Sequence, residues 1–236
     1  DPHVENPTFK ALYKSIPFFI ALRNDCVYGI FFDNHFKTNF DMGYSSTDYY
    51  SFGAADGELD YFFFYGDTIA DIISQYTALT GRCPLPQLWT LGYHQSRWGY
   101  SSQQEVLDLA QNFIDNDLPC DVIHMDIDYM DNYKVFTVDK NRFPDLTALS
   151  DVLHQKGIRL VTIIDPGTKV ENGYHMYEEG IKNNYFAQTP DGEVYENVVW
   201  PGDSVFPDYT SSIVRNWWGS QTKFLLDQGI SGIWND

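Results

Sequence analysis

The rhythm of apolar residues changes once along this chain, and the change divides it in two. Residues 13–22, 27–32 and 59–65 are short apolar and aromatic runs, with turn signals at Arg23-Asn24-Asp25, Asp33-Asn34 and Ala55-Asp56-Gly57. They predict β-strands from the last part of a sandwich. Residues 68–79 predict a helix, with Ile69, Ile72, Ile73 and Tyr76 at helical spacing. Gly81-Arg82-Cys83-Pro84-Leu85-Pro86 is a stiff connector. Residues 1–80 are therefore read as one domain, 81–87 as a linker and 88–236 as a second domain.

In the second domain strand and helix alternate. Strands are expected at 88–94, 121–128, 159–165 and 230–234. Ser102-Gln103-Gln104-Glu105 is a capping box opening a helix with Val106, Leu109, Ala110, Phe113 and Ile114 on one face. Further helices are expected at 146–156, stopped by Gly157, and at 214–227, stopped by Gly229. The excursion between them holds a short helix near 174–183 and a hairpin turned by Pro190-Asp191-Gly192. Such alternation means parallel strands with right-handed crossovers, as in a barrel or a doubly wound sheet. Two observations favour the barrel. No glycine-rich phosphate loop follows any strand. Polar or aromatic residues mark all four C-terminal strand ends (His94 and Gln95, Asp126 and Asp128, Asp165, Trp234 and Asp236), the rim where barrel enzymes place their chemistry. The expected fold class is α/β: the first four strands of a (β/α)8 TIM barrel, preceded by part of a β-sandwich domain.

Composition narrows the partners. Acidic residues number 33 against 15 basic ones, a net charge of −18 spread along the chain, which repels nucleic acid and anionic membrane surfaces. Aromatics reach 17%, including six Trp and 17 Tyr; most are expected in cores, and a handful to stack on flat sugar faces. The six histidines (3, 35, 94, 124, 154, 175) are scattered, so neither metal nor cofactor is implied. Cys26, Cys83 and Cys120 form no disulfide framework, which favours a reducing, cytoplasmic setting. No apolar run has the length of a membrane span and no signal peptide opens the chain; the start at Asp1-Pro2 lacks an initiator Met and is compatible with a cut.

Side chains alternate along a strand, so Asp126 and Asp128 are expected to point one way, as are Trp234 and Asp236. A lone Asp at a strand end most often caps a helix or holds a structural salt bridge; acids at successive ends weigh against that. The motifs then fall in one order: Leu91-Gly92-Tyr93-His94-Gln95-Ser96-Arg97-Trp98, His124-Met125-Asp126-Ile127-Asp128-Tyr129-Met130-Asp131, Ile164-Asp165-Pro166-Gly167, Val199-Trp200-Pro201-Gly202 with Phe206-Pro207-Asp208-Tyr209-Thr210, and Gly232-Ile233-Trp234-Asn235-Asp236. Together they resemble glycoside hydrolase family 31, the α-glucosidases. Upstream, Tyr13-Lys14-Ser15-Ile16-Pro17-Phe18-Phe19, Tyr28-Gly29-Ile30-Phe31-Phe32-Asp33-Asn34 and Gly57-Glu58-Leu59-Asp60-Tyr61 resemble that family's N-terminal β-sandwich.

The resemblance implies a retaining α-glucosidase acting on oligosaccharides or disaccharides with a terminal α-glucose. Asp236 matches the catalytic nucleophile, and Asp126 the residue that grips hydroxyls of the non-reducing glucose. Ile127 lines the same pocket, Trp200 and Trp234 form its walls, and Trp98 stands at its entrance, with a core role as its other reading. Thr168 departs from the Ile of many members and turns one wall from apolar to hydroxylated. Asp128 is implied to be structural. Asp1 belongs to a loop whose length does not allow a role to be carried over. In the family the acid/base follows a later strand, so the chain is expected to be cut in mid-domain, inactive alone and in need of the remainder of its catalytic domain; an oligomer is left open. An α-xylosidase or transglucosylase on the same scaffold, a non-catalytic carbohydrate-binding relative, and a barrel of unrelated function are the alternatives.

Overall fold

The computed structural model describes residues 16–24 and 26–236, which fall into two compact units divided between Leu85 and Pro86. Residues 13–15 of the expected first strand, Asp25 of the first turn signal and the loop at Asp1 lie outside the described residues.

In the first unit β1 (Phe18–Leu22) pairs antiparallel with β2 (Val27–Phe32), β3 (Thr38–Asp41) pairs with β4 (Ser51–Ala54) as a separate ribbon, and β5 (Tyr61–Gly66) adds to the free edge of β2. The ribbon escaped the sequence reading because each of its strands carries a single aromatic residue, Phe40 or Phe52. Helix α1 (Ile69–Thr80) starts on a reciprocal cap: the Asp71 N–H donates to the Thr68 hydroxyl and the Thr68 N–H donates to the Asp71 carboxylate. Of the expected apolar stripe, Ile72 is fully buried against Val27 and Phe64, whereas Ile69 and Ile73 are exposed. Gly29 makes that packing possible, since a Cβ there would lie 2.6 Å from Ile72 Cγ2.

The second unit holds a four-stranded parallel sheet. Its strands are β6 (His94–Gln95), β7 (Val122–Met125), β8 (Arg159–Ile164) and, last in the chain, Gly232–Asn235; the last strand lies beside β8, followed by β7 and β6. The expected strand at 88–94 is mostly something else. Leu88–Leu91 forms a 3-10 turn, because the Gln87 carbonyl accepts both the N–H and the hydroxyl of Thr90. Strand β7 likewise stops at Met125: Asp126 caps a 3-10 turn, Ile127–Tyr129, so strand alternation does not extend to Asp128.

Helices α2 (Gln103–Asp115) and α3 (Leu146–Gln155) bury Val106, Ala110, Leu146, Leu149 and Leu153 against Ile123, Met125 and Leu160 of the sheet. The capping box of α2 is only half formed. Ser102 accepts from the Glu105 N–H, but the Glu105 carboxylate binds the N–H and hydroxyl of Ser101. After β8 the chain makes β9 (Thr168–Lys169), α4 (His175–Asn183), β10 (Glu196–Val199) and β11 (Gly202–Val205). These three strands form their own antiparallel sheet, ordered β10-β11-β9. The short helix expected near 174–183 is α4, and the turn at 190–192 is present, but the strands were not legible: Glu196–Val199 is exposed throughout. Helix α5 (Ser212–Leu226) then leads into β12 (Gly232–Asn235).

Candidate active site

Parallel pairing sets the carboxylates. β12 and β8 are in register from Gly232–Val161 to Asn235–Ile164, so Asp236 and Asp165 are the next residues of adjacent strands. The Asp236 N–H continues the ladder, donating to the Ile164 carbonyl at 3.3 Å. Asp126 follows β7, the neighbour of β8 on its other side. Three adjacent strands therefore end on Asp126, Asp165 and Asp236.

Their environments differ. Asp236 is exposed. Asp165 is 8% exposed, and its Oδ2 is buried with no hydrogen-bond partner among the described residues. Burial, then the charges of Asp236 and Asp126, push the Asp165 carboxyl up to about 6. The Asp126 carboxyl is also held above its ordinary value, by burial first and by Asp128 and Asp236 after it; the Ile127 N–H donates to Asp126 Oδ1 at 2.7 Å and opposes that rise. Asp165 and Asp236 share a cleft of about 270 Å³ with Pro166, Tyr209 and Trp218.

A larger open hollow of about 540 Å³ lies along one sheet face, lined by His94, His124, Val161 and Trp234 with Trp89 and Thr90. His94 Nδ1 and His124 Nε2 share a hydrogen bond of 2.9 Å, and His124 packs edge-on against Trp234 with centroids 6.0 Å apart. Burial, then the His94 charge, holds the His124 imidazole below its ordinary value. Trp234 and Asp236, expected to point one way, line different hollows, with Asn235 lining both; Asp236 lies one residue past the strand, where alternation no longer binds it.

Trp98 and Trp200 come together. Their rings are 5.7 Å apart at 47°, and both are well exposed, Trp200 in the turn between β10 and β11. Two other expected pocket residues are not presented to solvent. Ile127 is 3% exposed, its side chain within the core, and it reaches the site through its N–H. Thr168 is fully buried on β9, its hydroxyl without a partner among the described residues. Asp128 sits 3.9 Å from the Arg142 guanidinium, which also binds Asp139 at 2.7 Å. Asp165 was legible as a strand end and within Ile164-Asp165-Pro166-Gly167, though without a role; Tyr209 lay in the Phe206–Thr210 motif, while nothing in the spacing of α5 singled out Trp218.

Residues 83–236 match the glycosyl hydrolases family 31 TIM-barrel domain, and residues 1–41 match the glycosyl hydrolase 31 N-terminal galactose mutarotase-like domain. Alpha-glucosidase 2 of Bacillus thermoamyloliquefaciens is 53% identical over 235 residues, covering 100% of this chain and 30% of that protein. A family 31 α-glucosidase from Bacteroides thetaiotaomicron aligns with a TM-score of 0.85 at 36% identity, over 95% of this chain and 38% of that one. A mutant family 31 dextranase from Flavobacterium johnsoniae, complexed with isomaltotriose, aligns with a TM-score of 0.85 at 34% identity, over 95% of this chain and 28% of its own. The chain thus spans about a third of the length of these relatives. With its parallel sheet ending in three aspartates and a β-sandwich-like unit ahead of it, the chain belongs to glycosyl hydrolase family 31 and carries a portion of that family's TIM barrel.

Proposed function

We propose that this sequence supplies the nucleophile and sugar-binding half of a retaining α-glucosidase. The observation that carries the reading is the placement of Asp236: a carboxylate at the end of a barrel strand, beside Asp165 on the adjacent strand and Asp126 on the strand after that. The names of the relatives support an α-glucosidic substrate.

In the reaction, Asp236 attacks C1 of a terminal α-linked glucose. The bond from C1 to the leaving oxygen breaks, its electron pair goes to that oxygen, and a second carboxylic acid protonates it. Water, deprotonated by that same group, then attacks C1 of the β-glucosyl ester and releases α-glucose and the free carboxylate. Retention calls for the two carboxyl groups to stand about 5–5.5 Å apart. Asp126, with one oxygen held by the Ile127 N–H, keeps the other for sugar hydroxyls. Trp98 and Trp200 offer apolar rings to the sugar; Trp234, a pocket wall by the family resemblance, lines the neighbouring hollow beside His124, and Thr168 is buried on β9. A polypeptide of these 236 residues provides four strands of an eight-stranded barrel, and we expect it to bind weakly and turn over nothing. The three cysteines, all free, support a reducing compartment, the cytoplasm, as its setting.

The test is hydrolysis of maltose, isomaltose and nitrophenyl α-glucoside and α-xyloside by the full-length protein. Asp236→Asn is expected to lower kcat by roughly 10⁴-fold or more, in keeping with loss of a covalent nucleophile. Wild-type turnover of glucosides, abolished by that change, supports the reading. Turnover unaffected by Asp236→Asn sinks it, as does brisk hydrolysis by the 236-residue polypeptide alone.

A further inference from the structure

The nucleophile reading gives Asp165 no task, yet its placement is unusual. It is the in-register neighbour of Asp236 on the adjacent strand and lines the same cleft. Its Oδ2 is buried without a hydrogen-bond partner among the described residues. A buried carboxylate oxygen left unpaired is costly, whereas a protonated one has an O–H to offer and less charge to solvate. Two carboxyl groups at adjacent strand ends also resist ionising together, which adds to the effect of burial in favouring the protonated form of Asp165.

We propose that Asp165 is a positioning residue for the glucosidase reaction: a carboxylic acid that offers its O–H toward Asp236 and so fixes the nucleophile in orientation. This rests on the α-glucosidase reading above. Among the titratable groups around Asp165, the two acids favour that state. Asp236 and Asp126 are acids on the flanking strands, the Tyr209 phenol lines the cleft, and the Tyr129 phenol lies beneath it with its O–H donated to the Ile163 carbonyl. None of these groups is a cation. The rise of the Asp165 carboxyl to about 6 agrees with the geometry.

The experiment uses the full-length protein and α-glucosyl fluoride, whose leaving group needs no proton, so that the pH profile of kcat/KM reports the nucleophile pair and not the acid/base. In the wild type kcat/KM should fall on the alkaline side as Asp165 ionises. Asp165→Asn keeps a neutral donor at every pH: its kcat should stay within about threefold of wild type and the alkaline fall should vanish. Asp165→Ala should lose roughly 100-fold in kcat with KM changed less than about twofold, because a misoriented nucleophile loses its near-attack geometry. If Asp165→Ala does not fold, the Asn profile decides. A purely structural Asp165 would give an Asn profile that overlays the wild type, or an Ala variant with unchanged kcat, and either overturns the proposal. Wild-type protein that leaves every α-glucoside untouched overturns the glucosidase reading itself, and this proposal with it.

Discussion

Asp165 binds its proton more tightly in the folded chain than in the unfolded one, and that sets a direction for stability. Its folded value is about 6 against an ordinary 3.8. Between those two values the folded chain holds a proton that the unfolded chain has released, so stability falls as pH rises through that window. The loss at this one site reaches at most about 3 kcal/mol. Asp165→Asn should therefore gain stability over wild type at pH 7 and show little gain at pH 4. Thermal midpoints of the two proteins across that range check it, and a difference independent of pH would argue against it. That Asp126, Asp165 and Asp236 end strands was legible in the sequence, because apolar runs stop on them. Their unlike burial was not, since it depends on Tyr209, Trp218 and the turn after Asp126.

At the level of elements, two contacts invite direct tests. Gly29 lets α1 lie close on β2, and a methyl group there would meet Ile72 at 2.6 Å. Gly29→Ala should destabilise the first unit by about 1–3 kcal/mol through overpacking, read as an earlier unfolding transition. Asp145 caps α3, its carboxylate accepting the Ala148 N–H at 2.9 Å. Asp145→Ala should cost about 1 kcal/mol, and denaturant midpoints will separate that from no effect. Elements with strong periodicity or caps, such as α1, α2 and α3, could be placed from spacing alone. The failures share a cause. Leu88–Leu91 reads as a strand by hydrophobicity but is turned by side-chain and backbone bonds to the Gln87 carbonyl, and Glu196–Val199 is held as a strand by its partner and not by burial. Both depend on hydrogen bonds that composition does not record.

In a polypeptide of these 236 residues, charge and sheet edges oppose one another. β6 and β12 each have one neighbour in the four-stranded parallel sheet, and such edges are templates for association. A net charge of −18 keeps copies apart at pH 7, and that repulsion fades as pH approaches the isoelectric point near 4.4. Light scattering of the 236-residue polypeptide should show association that grows with protein concentration and as pH is lowered from 7 to 5; scattering indifferent to both would contradict it. The hairpin that carries Trp200 has another consequence. β10 and β11 belong to a different sheet from the strands that end in the three aspartates. On the proposed reading, the aromatic contact to the sugar and the nucleophile lie on different sheets, so a change in the length or tip of the hairpin need not disturb the strand that ends in Asp236.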